Sequence, residues 1–251
     1  MKTLLRTFLL IQTILFLLSI QLNAQKLDVA NGTNSLEKEV TSGSTWNLAN
    51  SGSTSNINSL AFRNSSNGIA VGSGGTILKT TDGGLNWSPI SSPASNELIA
   101  ICYKDSNYWA VGANGIILKS TDYGADWNAQ VSGVTQSLTA VKFINMNEGI
   151  VVGSGGKILR TTNGGNTWVN VNSPTTLSLR GLSFYDQNNG YAVGGDFTPG
   201  QGIIIATTDR GQTWTTKILA TGYLFTAVNF PDANTIYVVG AYPGFGGSLV
   251  K

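Results

Sequence analysis

Thirteen carboxylates are the main candidates for acid–base or metal chemistry in this chain, which has no histidine and one cysteine, Cys102. Without imidazole, His-ligated metal sites and Ser-His-Asp relays are ruled out. Three of the carboxylates recur in one setting. The stretches are Thr80-Thr81-Asp82-Gly83-Gly84-Leu85-Asn86-Trp87, Ser120-Thr121-Asp122-Tyr123-Gly124-Ala125-Asp126-Trp127 and Thr207-Thr208-Asp209-Arg210-Gly211-Gln212-Thr213-Trp214. A fourth copy, Thr161-Thr162-Asn163-Gly164-Gly165-Asn166-Thr167-Trp168, has an amide in the same place. One active site has no use for several copies of one catalytic group. A local role fits better. Asp or Asn accepts backbone N–H groups two residues on, making an Asx-turn. Gly84, Gly124, Gly165 and Gly211 take positive φ and close the turn. Trp87, Trp127, Trp168 and Trp214 then bury a large ring against the sheet. Asp82, Asp122, Asn163 and Asp209 are therefore assigned to structure.

Few carboxylates remain. Asp126 also lies in a box, and Asp105, Glu148, Asp186 and Asp232 lie in turns. Asp28, Glu37 and Glu39 precede the repeats, which leaves Glu97 and Asp196. A glycosidase needs two facing carboxylates, and this pair is a thin basis for one. No catalytic residue, metal site or cofactor is assigned. Cys102 aligns with Phe62 and Phe143 in the repeat, which makes it a packed thiol rather than a reactive one. Trp109 and Tyr191 align with Ile69, a strand position, and are expected to pack.

The elements that position these turns repeat with the tryptophans. Trp46, Trp87, Trp127, Trp168 and Trp214 are separated by 41, 40, 41 and 46 residues, the scale of one propeller blade. Each unit opens with a short apolar run such as Leu60-Ala61-Phe62 or Val141-Lys142-Phe143. A second run ends in Val-Gly, as at Val71-Gly72 and Val152-Gly153. A third reads Ile77-Leu78-Lys79 or Ile158-Leu159-Arg160, and the Trp opens a fourth. Short β-branched runs bounded by Gly and Asn are strands. The sequence predicts an all-β chain, a β-propeller of four-stranded antiparallel blades with about five blade units and no helix outside the leader.

Residues 1–24 are expected to be a secretory signal peptide. Lys2 and Arg6 precede an apolar stretch, and Leu22-Asn23-Ala24 offers a cleavage site before Gln25. The apolar stretch falls short of the roughly 20 residues a membrane span needs. The expected product is secreted, periplasmic or held at the cell surface, with no membrane insertion after cleavage. Residues 25–39 form a linker and 40–251 the propeller. Losing Lys2 and Arg6 leaves 13 basic against 13 acidic residues. A neutral surface gives no electrostatic case for a nucleic-acid partner.

The four turns resemble Asp-boxes, or BNR repeats, known from sialidases and other propellers. The fuller unit from Gly68 to Gly84 is similar to the repeats of the photosystem II stability and assembly factor family, and the resemblance covers about 40–251. It implies a non-enzymatic propeller, typically seven-bladed, that binds partner proteins. It does not by itself imply a photosynthetic setting, since related propellers occur in secreted bacterial surface proteins. The family's binding face is basic. This chain offers only Arg63, Arg160, Arg180 and Arg210 beyond the leader as arginines, so no binding residue carries over. Two readings of the repeat phase stay open. Val40 to Asn50, with Thr41, Gly43, Thr45 and Trp46, supplies a degenerate box and a fourth strand that would complete a five-bladed ring. Alternatively the chain is a fragment of a seven-bladed ring.

The second-to-third-strand connection lengthens in the last two units. Gly194 to Thr207 is 13 steps, against 8 from Gly72 to Thr80. Aromatics on loops of a rigid scaffold suit recognition. Asp196, Phe197, Tyr242 and Phe245 are the candidate contact patch, for a protein partner or, in the alternative, a glycan. Two functions are expected to compete: a protein-binding or assembly scaffold, and a glycan-binding or sialidase-like glycoside-hydrolase propeller.

Overall fold

The computed structural model describes residues 49–198, 200–232, 235–242 and 246–250, with only the backbone at 231, 232, 242 and 246–250. The expected leader (1–24), the linker (25–39), Trp46 with its degenerate box, and Phe245 lie outside the described residues. One compact unit runs from Ser51 onward.

The β-branched runs form five antiparallel sheets. The first holds β1 (Ile57–Phe62), β2 (Gly68–Gly72), β3 (Ile77–Thr80) and β4 (Ser88–Pro89). The second holds β5 (Leu98–Lys104), β6 (Asn107–Gly112), β7 (Ile117–Ser120) and β8 (Asn128–Gln130). The third holds β9 (Leu138–Phe143), β10 (Gly149–Gly153), β11 (Ile158–Thr161) and β12 (Val169–Asn170). The fourth holds β13 (Leu179–Phe184), β14 (Gly190–Asp196), β15 (Gln201–Thr207) and β16 (Thr215–Thr221). The fifth holds β17 (Leu224–Asp232), β18 (Thr235–Tyr242) and β19 (Gly246–Val250). Within each sheet the strands neighbour one another in chain order, and the first strand of each sheet lies against the first strand of the next. These are propeller blades.

The core lies between blades rather than within one. Ile69, Val71 and Ile77 of the first sheet pack on Leu98, Ile101 and Tyr108 of the second. Trp109, Val111 and Ile117 pack on Leu138, Val141 and Phe143. Ile150, Val152 and Ile158 then meet Leu179, Ala192 and Ile203, and Val193 and Ile204 meet Phe225 and Val238. Both faces of the middle strands in the second, third and fourth sheets are thus covered, which is why Gly-Ile-Val-Val-Gly of the third is buried throughout instead of alternating.

The Val-Gly step has a steric cause. A Cβ on Gly112 would sit 1.9 Å from the Glu97 carbonyl oxygen, and one on Gly194 1.9 Å from that of Ser178. The second strand leaves its sheet hard against the backbone that enters the first, and only glycine fits there. Ala113 N–H donates to Glu97 O and Ser154 N–H to Ser137 O across the same contact. The second-to-third-strand turn and the entry to the sheet therefore share one rim.

The connections at Ser73–Gly75, Ala113–Gly115 and Ser154–Gly156 are single 3-10 turns. Their middle residue is left-handed, with φ 64° at Gly74 and 56° at Asn114. Asn tolerates that region better than most side chains.

Candidate functional site

The Asp-box turns form as local units, but their wiring differs from a simple Asx-turn. Asp82 Oδ1 accepts the N–H of Asn86, four residues on, at 2.9 Å. Asp126 N–H reaches Asp122 at 3.0 Å, Thr167 N–H reaches Asn163 at 2.9 Å and Thr213 N–H reaches Asp209 at 2.9 Å. The glycine two residues on bonds elsewhere. Gly84 N–H donates to Thr80 Oγ1 at 2.9 Å, and Thr80 Oγ1 donates to Asp82 Oδ1 at 2.8 Å. Ser120, Thr161 and Thr207 make the same pair of bonds. The hydroxyl opening each box, buried in every case, is thus the hub of the turn. The sequence showed this Ser/Thr position but not its role.

Each box glycine has positive φ, from 75° at Gly211 to 92° at Gly84. The residue before it is left-handed too, including Tyr123 at 60° and Arg210 at 63°. Trp87 Nε1 donates to Gly84 O at 3.1 Å, and Trp214 Nε1 to Gly211 O at 3.2 Å. Each Trp immediately precedes the fourth strand instead of opening it.

These bonds favour the ionised carboxylate. The Asn86 backbone N–H, the Asn86 side-chain amide and the Thr80 hydroxyl hold Asp82 down at about 2. The Asp126 N–H and the Ser120 hydroxyl hold Asp122 low. At Asp209 burial pushes upward, but bonds from Thr213 and Thr207 outweigh it. A carboxylate so held is a poor proton donor or base near neutral pH.

The arginines are also engaged. Glu148 bridges two blades: its carboxylate takes Arg160 Nη2 at 3.0 Å from its own sheet and Arg210 Nη1 at 3.2 Å from the next. Arg160 Nε donates to Arg210 O and Arg210 Nε to Asn188 Oδ1, each at 3.0 Å. Reading the sequence placed Glu148 only in a turn. Its second arginine lies 62 residues away, and no local signal points to it. Arg63 lies over the Tyr123 ring at 4.6 Å. Arg180 faces Asp196 at 3.8 Å and donates to Gly195 O.

Of the candidate patch, Asp196 and Phe197 sit at the tip of the β14–β15 hairpin. Asp196 pairs with Gln201, and its carboxylate accepts Ser178 N–H at 3.1 Å. Phe197 is 69% exposed. The Tyr242 backbone pairs with Gly246 at the equivalent tip of the fifth sheet. Glu97 accepts from Asn58 Nδ2 at 3.0 Å. A cleft of about 610 Å³ runs beside Gln130, Gln136 and Lys157, and one of about 560 Å³ beside Arg160, Thr167 and Trp214; neither is lined by a carboxylate.

The expected packing residues pack. Trp109 is fully buried and stacks on Phe143 at 3.5 Å. Its Nε1 donates to Gly164 O at 3.2 Å, tying the second blade to the third box. Tyr191 lies against Phe230. Cys102 packs into the same core as Trp109, and burial pushes its thiol up to about 12.

The profile of the photosynthesis system II assembly factor YCF48 family matches residues 38–132 and 128–221. No curated protein matches the chain. Among solved structures, YCF48 from Cyanidioschyzon merolae is similar at 21% identity with a TM-score of 0.61, over 78% of this chain and 67% of that one. The GH74 xyloglucanase from Xanthomonas campestris is similar at 13% identity, with a TM-score of 0.57 over 78% of this chain and 38% of the enzyme. The GH74 enzyme of Niastella koreensis is similar at 19% identity, with a TM-score of 0.53 over 77% of this chain and 38% of the enzyme. This chain thus spans about two thirds of the first structure and well under half of the two enzymes. These likenesses establish the propeller fold.

Proposed function

The chain belongs to the photosynthesis system II assembly factor YCF48 family, and from that premise we propose that it is an exported, non-enzymatic scaffold that binds a protein partner. Membership of an assembly-factor family is the observation that carries this reading. The site chemistry supports it. The box carboxylates are committed to their own turns, and Glu148 and Asp196 to arginines. The same pairing leaves Arg160, Arg180 and Arg210 poorly placed to form a basic docking face.

Recognition is instead assigned to the rim of the last two sheets. There Phe197 stands exposed beside Asp196, and the Tyr242 backbone holds the equivalent tip of the fifth sheet, with Phe245 following it in the sequence. Exposed aromatics on a rigid support make strong contacts with little loss of entropy. The leader carries the chain out of the cytoplasm, and N-terminal sequencing of the exported protein should begin at Gln25.

The rim is tested by placing a photocrosslinking phenylalanine derivative at Phe197 in the producing cells. A discrete protein adduct, suppressed by an excess of the unaltered chain but not by an F197A/Y242A/F245A copy, supports the scaffold. No adduct, or release of sugar from xyloglucan by the purified chain, overturns it.

A further inference from the structure

The outermost strands of the sheets differ. β4, β8 and β12 have two, three and two residues. β16 has seven, Thr-Thr-Lys-Ile-Leu-Ala-Thr, and six of them are exposed. Among the described residues it pairs with β15 on one side and ends the sheet on the other. Short outer strands, as in the first three sheets, are how proteins keep a sheet edge from recruiting another chain. The fourth sheet lacks that protection.

The edge also has a pattern. A bulge at Lys217 interrupts the pairing, and beyond it Ile218, Leu219, Ala220 and Thr221 face Ile204, Ile203, Gly202 and Gln201 in regular register. Ile204 points into the core shared with the fifth sheet, and Ile203 into the core shared with the third. Cross-strand neighbours share a face, so Ile218 and Leu219 carry both apolar faces outward, at 43% and 58% exposure. The row ends at the hairpin tip, where Asp196, Gln201 and Thr221 align and Phe197 follows.

We propose that the free edge of β16, from Ile218 to Thr221, takes up an extended segment of a protein partner as an added strand. Unpaired backbone groups along an edge are matched by another extended backbone. Ile218 on one face and Leu219 on the other select a short continuous apolar run, not an alternating one. The occupant is a flexible segment and not a second folded copy. Seven residues make a strip about 24 Å long and about 10 Å deep, near 240 Å² and far below the roughly 800 Å² per partner of a stable rigid interface. The proposal rests on the protein-binding reading and adds where, and by what chemistry, the partner is held.

The test uses the full chain and a fluorescein-labelled heptapeptide with a central Val-Ile-Val run, flanked by Thr and capped by Lys. Two further peptides carry N-methyl groups on one or the other alternate set of backbone amides. Fluorescence polarisation should show binding of the parent peptide. One methylated register should bind at least tenfold more weakly, because an added strand turns only alternate N–H groups toward the edge. I218K/L219K, altering two exposed side chains, should also weaken binding at least tenfold with an unchanged melting curve. No binding, or equal binding of all three peptides, overturns the proposal. So does a chain that sediments as a dimer and becomes a monomer on I218K/L219K, since the edge then belongs to a second copy. If the Phe197 adduct persists while the heptapeptide fails to bind, the scaffold stands and the added strand falls. If the peptide binds and no adduct forms, the reverse holds.

Discussion

The third and fourth sheets use the same box and the same inter-blade core, yet they end differently. In the third, a 3-10 turn at Ser154–Gly156 joins the middle strands and β12 stops after two residues. In the fourth, β14 and β15 run on together to a tip at Asp196 and Gln201, and β16 follows β15 out to Thr221. Interior chemistry is therefore uniform along the chain, and variation is confined to the rim and the outer edge. A change to the shared interior should damage either sheet alike. A change to the extension should leave stability alone and alter binding.

The largest expected loss tests the shared interior. Trp109→Ala removes a stacked ring and the donor to Gly164 O, and should cost about 3–5 kcal/mol in chemical denaturation. A loss below about 1 kcal/mol would mean that the blades do not depend on their common core. Next come the box hydroxyls. Thr161→Val in the third sheet and Thr207→Val in the fourth each strand a buried glycine N–H, at a cost of about 1–3 kcal/mol apiece. Unequal values would show that the two boxes are not equivalent units.

Glu148→Gln addresses the seam between the two sheets, where one carboxylate serves Arg160 and Arg210. The pair with Arg210 is partly exposed, so the loss should be about 1 kcal/mol and shrink at high salt. A loss unaffected by salt would show that charge is not what joins the blades there. A smaller effect separates the boxes by pH. Asp82 is ionised in the fold down to about 2, below the ordinary carboxylate value. Its contribution is complete above pH 4 and fades as pH falls toward 2. Protection of the Asn86 amide, relative to its intrinsic exchange rate, should fall over that range while that of Thr167, bonded to the amide of Asn163, holds steady. Equal loss of protection at both would dissociate the effect from carboxylate protonation. Least of all, I218K/L219K should stay within about 0.5 kcal/mol of the parent; a larger loss would make the β16 edge part of the fold.

Strand positions were legible because Val-Gly steps and β-branched runs obey rules spanning a few residues. The box was legible as a turn for the same reason, since its acceptor, hydroxyl and glycine lie within five residues. Its wiring was only half visible. Asp82 and Thr80 are both short oxygen acceptors near Gly84, and the composition does not say which one the glycine N–H will choose. The length of β16 was not legible. Thr215 to Thr221 contains a lysine and a bulge and follows the same box as its short counterparts.

The repeat, the strand positions and the presence of the turns were written into the chain, because they depend on residue spacing and on groups that lie within a few residues of one another. The pairing of Glu148 with Arg210, the bond from Trp109 to Gly164 and the exposure of the β16 edge belong to the tertiary structure. Each joins or exposes groups that sequence separates by tens of residues, and their distance is set by how blades pack and how far one strand follows another.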